Sequence, residues 1–189
     1  MIKTSNHSSV LIPDSAIATQ NSALLLLIGL PGSGKSTWAK KLLVECPQMQ
    51  LISTDAIRGL LFGNEAIQGP WLLIWREIQR QLQQASISGK TTIYDATNAQ
   101  RRHRREIVAL ARDVGFSKII GIWADTPLWL CLARNQKRDR RVPEEIILRM
   151  HCQLRDAPPN LEEGLDCLIR FSQLRKYGNC AHHASENPT

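Results

Sequence analysis

Apolar positions along this chain alternate between two textures. Short apolar runs occur at Ala23 to Ile28, Leu51 to Ser53, Thr91 to Tyr94 and Ile119 to Trp123, with a weaker one at Cys167 to Phe171. They are too short for typical helices, and nearly all are rich in Leu, Ile, Val or aromatic residues, as strands are. Between them lie longer stretches of helical pattern: Lys35 to Glu45, Gly69 to Ser88, Gln100 to Asp113 and Leu128 to Arg155. Leu72, Trp75, Ile78, Gln79 and Leu82 follow helical spacing, as do Ile107, Leu110, Ala111 and Val114. Gly89 and Gly115 stand where helix C-caps belong, each just before a strand. Pro143 starts a fresh helix inside the last stretch, with Glu144 and Glu145 complementing its N-terminus.

Strand and helix in alternation predict a three-layer α/β domain, a mostly parallel sheet with helices on both faces. In such folds ligands bind beyond the carboxyl ends of the strands. Residues 1–22 are polar and aperiodic, an expected loose arm; 23–176 form the expected single domain, and 177–189 an expected frayed tail.

Composition adds little beyond exclusions. The 189 residues suit one domain, and no apolar run approaches a membrane span. With no secretory leader pattern in the first residues, a cytoplasmic location is expected. Five cysteines without a CxxC pair read as reduced thiols, and Cys180, His182 and His183 read as tail rather than a metal site. The net charge of +7 permits an anionic partner without identifying one.

The chemistry begins where the first apolar run breaks. Leu24 to Thr37 reads LLLLIGLPGSGKST, and Gly29, Gly34, Lys35 and Ser36 satisfy GxxxxGK[ST] between a predicted strand and a predicted helix. Glycines let the backbone curl its N–H groups inward, and the helix N-terminus adds free N–H groups and a positive dipole end. Gly29, Pro31, Gly32, Ser33, Gly34, Lys35, Ser36 and Thr37 are therefore the expected phosphate cradle. Lys35 is expected to reach the β- and γ-phosphates, and Ser36 to hold Mg²⁺. The Asn/Thr-Lys-x-Asp signature of many GTPases is absent, so ATP is the default nucleotide. Small length disfavours motors and large assemblies, which puts small kinases in front.

A kinase needs a carboxylate to take the acceptor's proton and a cation to orient the acceptor. Ser53-Thr54-Asp55-Ala56-Ile57-Arg58 follows the second run; if Ser53 or Thr54 caps the helix, Asp55 and Arg58 share one face past the strand end. The third run closes on Asp95, at the place of a carboxylate that binds Mg²⁺ through water or holds Arg58. Thr97 and Asn98 follow as candidate caps of the next helix, and Asn98 is also an expected acceptor contact. That helix opens with Gln100-Arg101-Arg102-His103-Arg104-Arg105, cations opposing the helix dipole, which Glu106 and nearby acids or a bound phosphodiester would offset. Arg134, Arg138 and Arg141 recur at i, i+4 and i+7, along one edge of an expected helical arginine lid.

GLPGSGKST, STDAIR, YDATN and LARNQKRDRRVP, in that order, resemble the kinase module of bacteriophage-type polynucleotide 5′-hydroxyl kinases and their bacterial relatives, over about Leu24 to Asp156. The resemblance implies ATP and Mg²⁺ on Lys35 and Ser36, Asp55 as general base, Arg58 on the phosphate beside the acceptor hydroxyl, and Arg134 and Arg138 on the ATP phosphates. No DxDxT phosphatase motif accompanies it, so the expectation is kinase-only. The fold expected is a P-loop domain with sheet order 2-3-1-4-5. A nucleic-acid 5′-OH leads as acceptor; a small metabolite, aminoacyl-tRNA, or ATP binding without phosphotransfer are the alternatives. The stretch from Phe62 to Trp71, FGNEAIQGPW, lies where an acceptor is shaped, and no pattern specifies an oligomeric state.

Overall fold

The computed structural model describes residues 22–171. Five parallel strands, β1 (Ala23–Ile28), β2 (Gln50–Ser53), β3 (Thr92–Asp95), β4 (Lys118–Ala124) and β5 (Cys167–Phe171), form one sheet in the order β2-β3-β1-β4-β5. Six helices connect them: α1 (Lys35–Glu45), α2 (Thr54–Phe62), α3 (Trp71–Ile87), α4 (Arg101–Asp113), α5 (Leu128–Gln136) and α6 (Glu144–Asp156). The expected arm and tail, with Cys180, His182 and His183, lie outside the described residues apart from Ser22.

Central β1 explains the apolar run that opens the chain. Leu24, Leu26 and Ile28 face the larger core under α3, α4 and α6, while Leu25 and Leu27 face Ala39, Trp38 and Leu42 of α1. A strand covered on both faces must be apolar at consecutive positions, whereas a half-exposed one alternates. Its pairing to β4 in register Ile28↔Trp123 and to β3 in register Leu26↔Tyr94 brings the carboxyl ends of three strands together. That rim carries the loops that follow β1, β3 and β4.

Helix ends follow the expected chemistry with three corrections. Gly89 and Gly115 take left-handed backbone at φ 64° and 103°, just past the last residues of α3 and α4. On α3 the buried stripe is Ile74, Ile78, Leu82 and Ala85, and Leu72 is exposed; α3 begins at Trp71, and its first turn stands at the rim rather than under the core. The stretch from Leu128 to Arg155 is two helices, as Pro143 implies, but α5 stops at Gln136. Arg138 and Arg141 therefore lie in the connection to α6, and the i, i+4, i+7 arginine edge does not form. The side chain of buried Asn135 shapes that connection, donating to the Val142 carbonyl at 2.8 Å and accepting from its N–H at 3.0 Å.

Candidate active site

The loop after β1 is held from three sides. Gly29 donates its N–H to the Thr97 carbonyl at 3.0 Å, Thr126 donates its hydroxyl to the Ser33 carbonyl at 3.0 Å, and Arg134 donates to the Gly32 carbonyl at 3.4 Å. Gly32 and Gly34 adopt φ of 81° and 93°, a region costly for any residue with a Cβ. Space is as restrictive as conformation: a Cβ on Gly32 would stand 2.5 Å from the Cys131 carbonyl oxygen, and one on Gly29 would stand 2.7 Å from that of Ala124. Pro31 and Ser33 are buried, Ser36 is half-buried and Thr37 is exposed. Gly34 is the N-cap of α1 and offers no side chain, leaving the first N–H groups of that helix to whatever the loop encloses.

Lys35 is buried, and its ammonium donates to the Leu30 carbonyl at 3.0 Å and, longer, to Ser33 Oγ at 3.5 Å. Burial holds its pKa below the ordinary lysine value; Asp95 opposes that shift, and the nearby Arg138 adds to it. Asp55 also acts on the same ammonium. Four residues singled out in the sequence, Lys35, Asp55, Asp95 and Arg138, thus share one electrostatic neighbourhood. Asp95 is buried at the end of β3, and the Arg58 guanidinium bonds Asp55 instead of Asp95.

Ser53 is the N-cap of α2 and accepts from the Ala56 N–H at 3.4 Å. That cap sets Asp55 in the first turn, where Arg58 donates to its Oδ1 at 2.6 Å and Arg140 approaches its Oδ2 at 3.2 Å. Arg140 was not singled out in the sequence. It reaches Asp55 because the chain leaves the helical path after Gln136, which a helical reading of the arginine run conceals. Arg141, expected on the lid edge, is exposed. Thr126 is a second addition, its signal being a hydroxyl directly beyond the fourth apolar run.

Asn98 ties the rim together. Its backbone is left-handed at φ 48°, it is buried, and its amide donates to the Leu27 carbonyl at 2.6 Å. The side chain joins the loop after β3 to β1. Neither Thr97 nor Asn98 caps α4, whose N-cap is Gln100. The basic start of that helix is balanced within the protein: Arg104 is fully buried and forms a two-pronged pair with Glu163 at 2.6 Å for each contact. Its other contacts are the carbonyls of Asn98, Ala99 and Ala157. Arg102 bonds Glu106, and Arg101 lies 3.7 Å from both Glu162 and Glu163.

The donor set suits a magnesium-bound nucleoside triphosphate. A backbone cradle with no room for a Cβ, a buried ammonium and the helix N-terminus match phosphate oxygens, and the Ser36 hydroxyl beside them is a hard oxygen ligand of the kind Mg²⁺ takes.

Parallel sheet order and loop together define a P-loop domain. The chain belongs to the AAA domain family, whose model matches residues 24–157. It is 26% identical over 137 residues to an L-seryl-tRNA(Sec) kinase of Methanococcus maripaludis, an alignment covering 68% of this chain and 51% of the relative. The chain thus spans about half the length of that curated relative. Among solved structures it resembles a chain of the Pnkp1/Rnl/Hen1 RNA repair complex, with TM-score 0.67, 22% identity, and coverage of 88% of this chain and 52% of that one. A fungal RNA kinase matches with TM-score 0.57 and 18% identity, covering 83% and 76% of the two chains.

Proposed function

We propose that this chain is an ATP-dependent kinase that transfers the γ-phosphoryl group, with Mg²⁺, to a hydroxyl acceptor, and that the acceptor is the 5′-OH of a polynucleotide. The observation that carries this reading is the placement of Asp55 on the rim, held by Arg58 and Arg140 and within electrostatic reach of the Lys35 ammonium. A carboxylate so placed suits a general base, and the guanidiniums around it suit an anionic acceptor.

In this reading the acceptor oxygen forms its bond to the γ-phosphorus as the bond to the β-bridging oxygen breaks, and the hydroxyl proton passes to Asp55. Lys35 and the loop N–H groups hold the phosphates in line, while Arg134 and Arg138 stabilise charge on the transferring oxygens. Ser36, with Asp95 nearby, would hold Mg²⁺, which would neutralise phosphate charge. Asp95 also opposes the fall that burial causes in the Lys35 pKa. The names of the similar proteins, an RNA repair complex, an RNA kinase and a seryl-tRNA kinase, favour a nucleic-acid-borne hydroxyl.

The sequence likeness to a seryl-tRNA kinase specifically favours a second acceptor, the hydroxyl of an aminoacyl group carried on tRNA. A transfer screen with γ-labelled ATP across 5′-OH RNA and DNA, charged tRNAs and small hydroxyl metabolites separates the readings. Label on 5′-OH ends is the expected result. Label confined to charged tRNA or a metabolite would replace the acceptor, and ATP binding without any transfer would defeat the kinase reading.

A further inference from the structure

Trp71 and His103 come from different helices and stack, their ring centroids 6.1 Å apart and their planes 21° from parallel. Trp75 continues the group, 6.1 Å from Trp71 at 33°. Trp71 is 47% exposed, unusual for so large a ring in a first turn with the core close by. Its position explains its exposure. Helix α4 leaves the carboxyl end of β3, and α3 descends from that same end toward the start of β3, so both helix N-termini stand at the rim that carries Asp55 and Asp95.

Also on α4, Arg101, Arg102, Arg105, Glu106 and Ala109 line a shallow groove, in which Arg102 is paired with Glu106 and Arg101 stands 3.7 Å from Glu162 and Glu163. Leu72 and Leu73 make the neighbouring turn of α3 apolar as well. Exposed aromatic faces beside arginines suit a single strand: bases stack on rings whatever their identity, and guanidiniums follow the backbone. A purely apolar partner helix would be poorly served by the arginines.

We infer that Trp71 and His103 form a base-stacking platform for a single-stranded nucleic-acid acceptor, whose backbone follows the arginine groove of α4. This rests on the nucleic-acid reading of the acceptor, and the two can fail separately.

The test measures binding of 3′-fluorescein-labelled 5′-OH RNA and DNA strands to the full chain by anisotropy, for wild type, Trp71→Ala, Trp71→Phe and His103→Ala. Circular dichroism and ATP affinity serve as fold controls. Trp71→Ala is expected to weaken binding about tenfold while Trp71→Phe retains most of it. Replacing one base of the strand by an abasic site should reproduce the loss in wild type and add nothing in Trp71→Ala. In transfer assays KM for the strand should rise with kcat kept. Strand binding unchanged by Trp71→Ala, or a loss that no abasic position reproduces, overturns the platform and leaves the acceptor reading intact. No strand binding at all, or use of the same face by a protein partner instead, overturns both the platform and the nucleic-acid reading.

Discussion

Gly32 shows how much a single backbone position constrains. The GxxxxGK[ST] pattern marks the loop but treats Gly32 as a variable position, and nothing in the sequence says that α5 presses on it. A Cβ there would meet the Cys131 carbonyl at 2.5 Å, at a φ of 81° that already disfavours side chains. Gly32→Ala is therefore expected to push the loop from α5 and weaken ATP binding by tenfold or more, read by titration calorimetry, while Gly63→Ala, equally strained at φ 73° but outside the loop and with open space around it, leaves ATP affinity unchanged. The same blindness applies to the arginine loop. Arg134 and Arg138 are readable from their motif, but Asn135, which ties Val142 by two bonds, looks like a spacer until the chain is folded. Arg140 reaches Asp55 only because of that turn.

Helix α4 is a case where pattern gives the element but not its partners. Ile107 and Ala111 mark the buried face correctly, yet Arg104 in the basic run is as buried as they are. Its carboxylate partner, Glu163, lies in the short 3-10 turn Leu161–Glu163 after α6, too far along the chain for local spacing to reveal. Removing one member of a buried pair leaves the other charge uncompensated, so Arg104→Ala is expected to cost about 3–5 kcal/mol in denaturant unfolding. Exposed Arg105→Ala should cost within about 0.5 kcal/mol. Strand β5 depends on a second carboxylate: Asp166 accepts from the Ile119 N–H and from Arg112, both at 2.6 Å, and these bonds hold its pKa below the ordinary aspartate value. A depressed carboxylate stabilises the fold above its unfolded pKa, near 3.9, and loses that contribution as pH falls through the lower folded value. The stability gap between wild type and Asp166→Asn should accordingly be present at neutral pH and close in acid.

The whole molecule was legible where hydrophobic texture alone decides. Five apolar runs became five parallel strands, because a sheet covered on both faces leaves a signal in consecutive residues, whereas their order 2-3-1-4-5 was expected from the P-loop resemblance. The site was legible where a motif must be contiguous, as in the loop and in Asp55-x-x-Arg58. It was illegible where distant segments meet, as in the Thr126 tie to Ser33 and in Asn98, whose amide joins β1. The proposed catalysis requires the donor cradle and Asp55 to act on one hydroxyl across the rim. Transfer of γ-labelled phosphate to a 5′-OH oligonucleotide, measured alongside ATP affinity for wild type and Asp55→Asn, examines that requirement. General-base loss is expected to lower kcat about 10²–10⁴-fold with ATP affinity nearly unchanged. Equal transfer by wild type and Asp55→Asn would contradict the assignment of Asp55, and an absence of transfer by wild type to any hydroxyl would contradict the kinase itself.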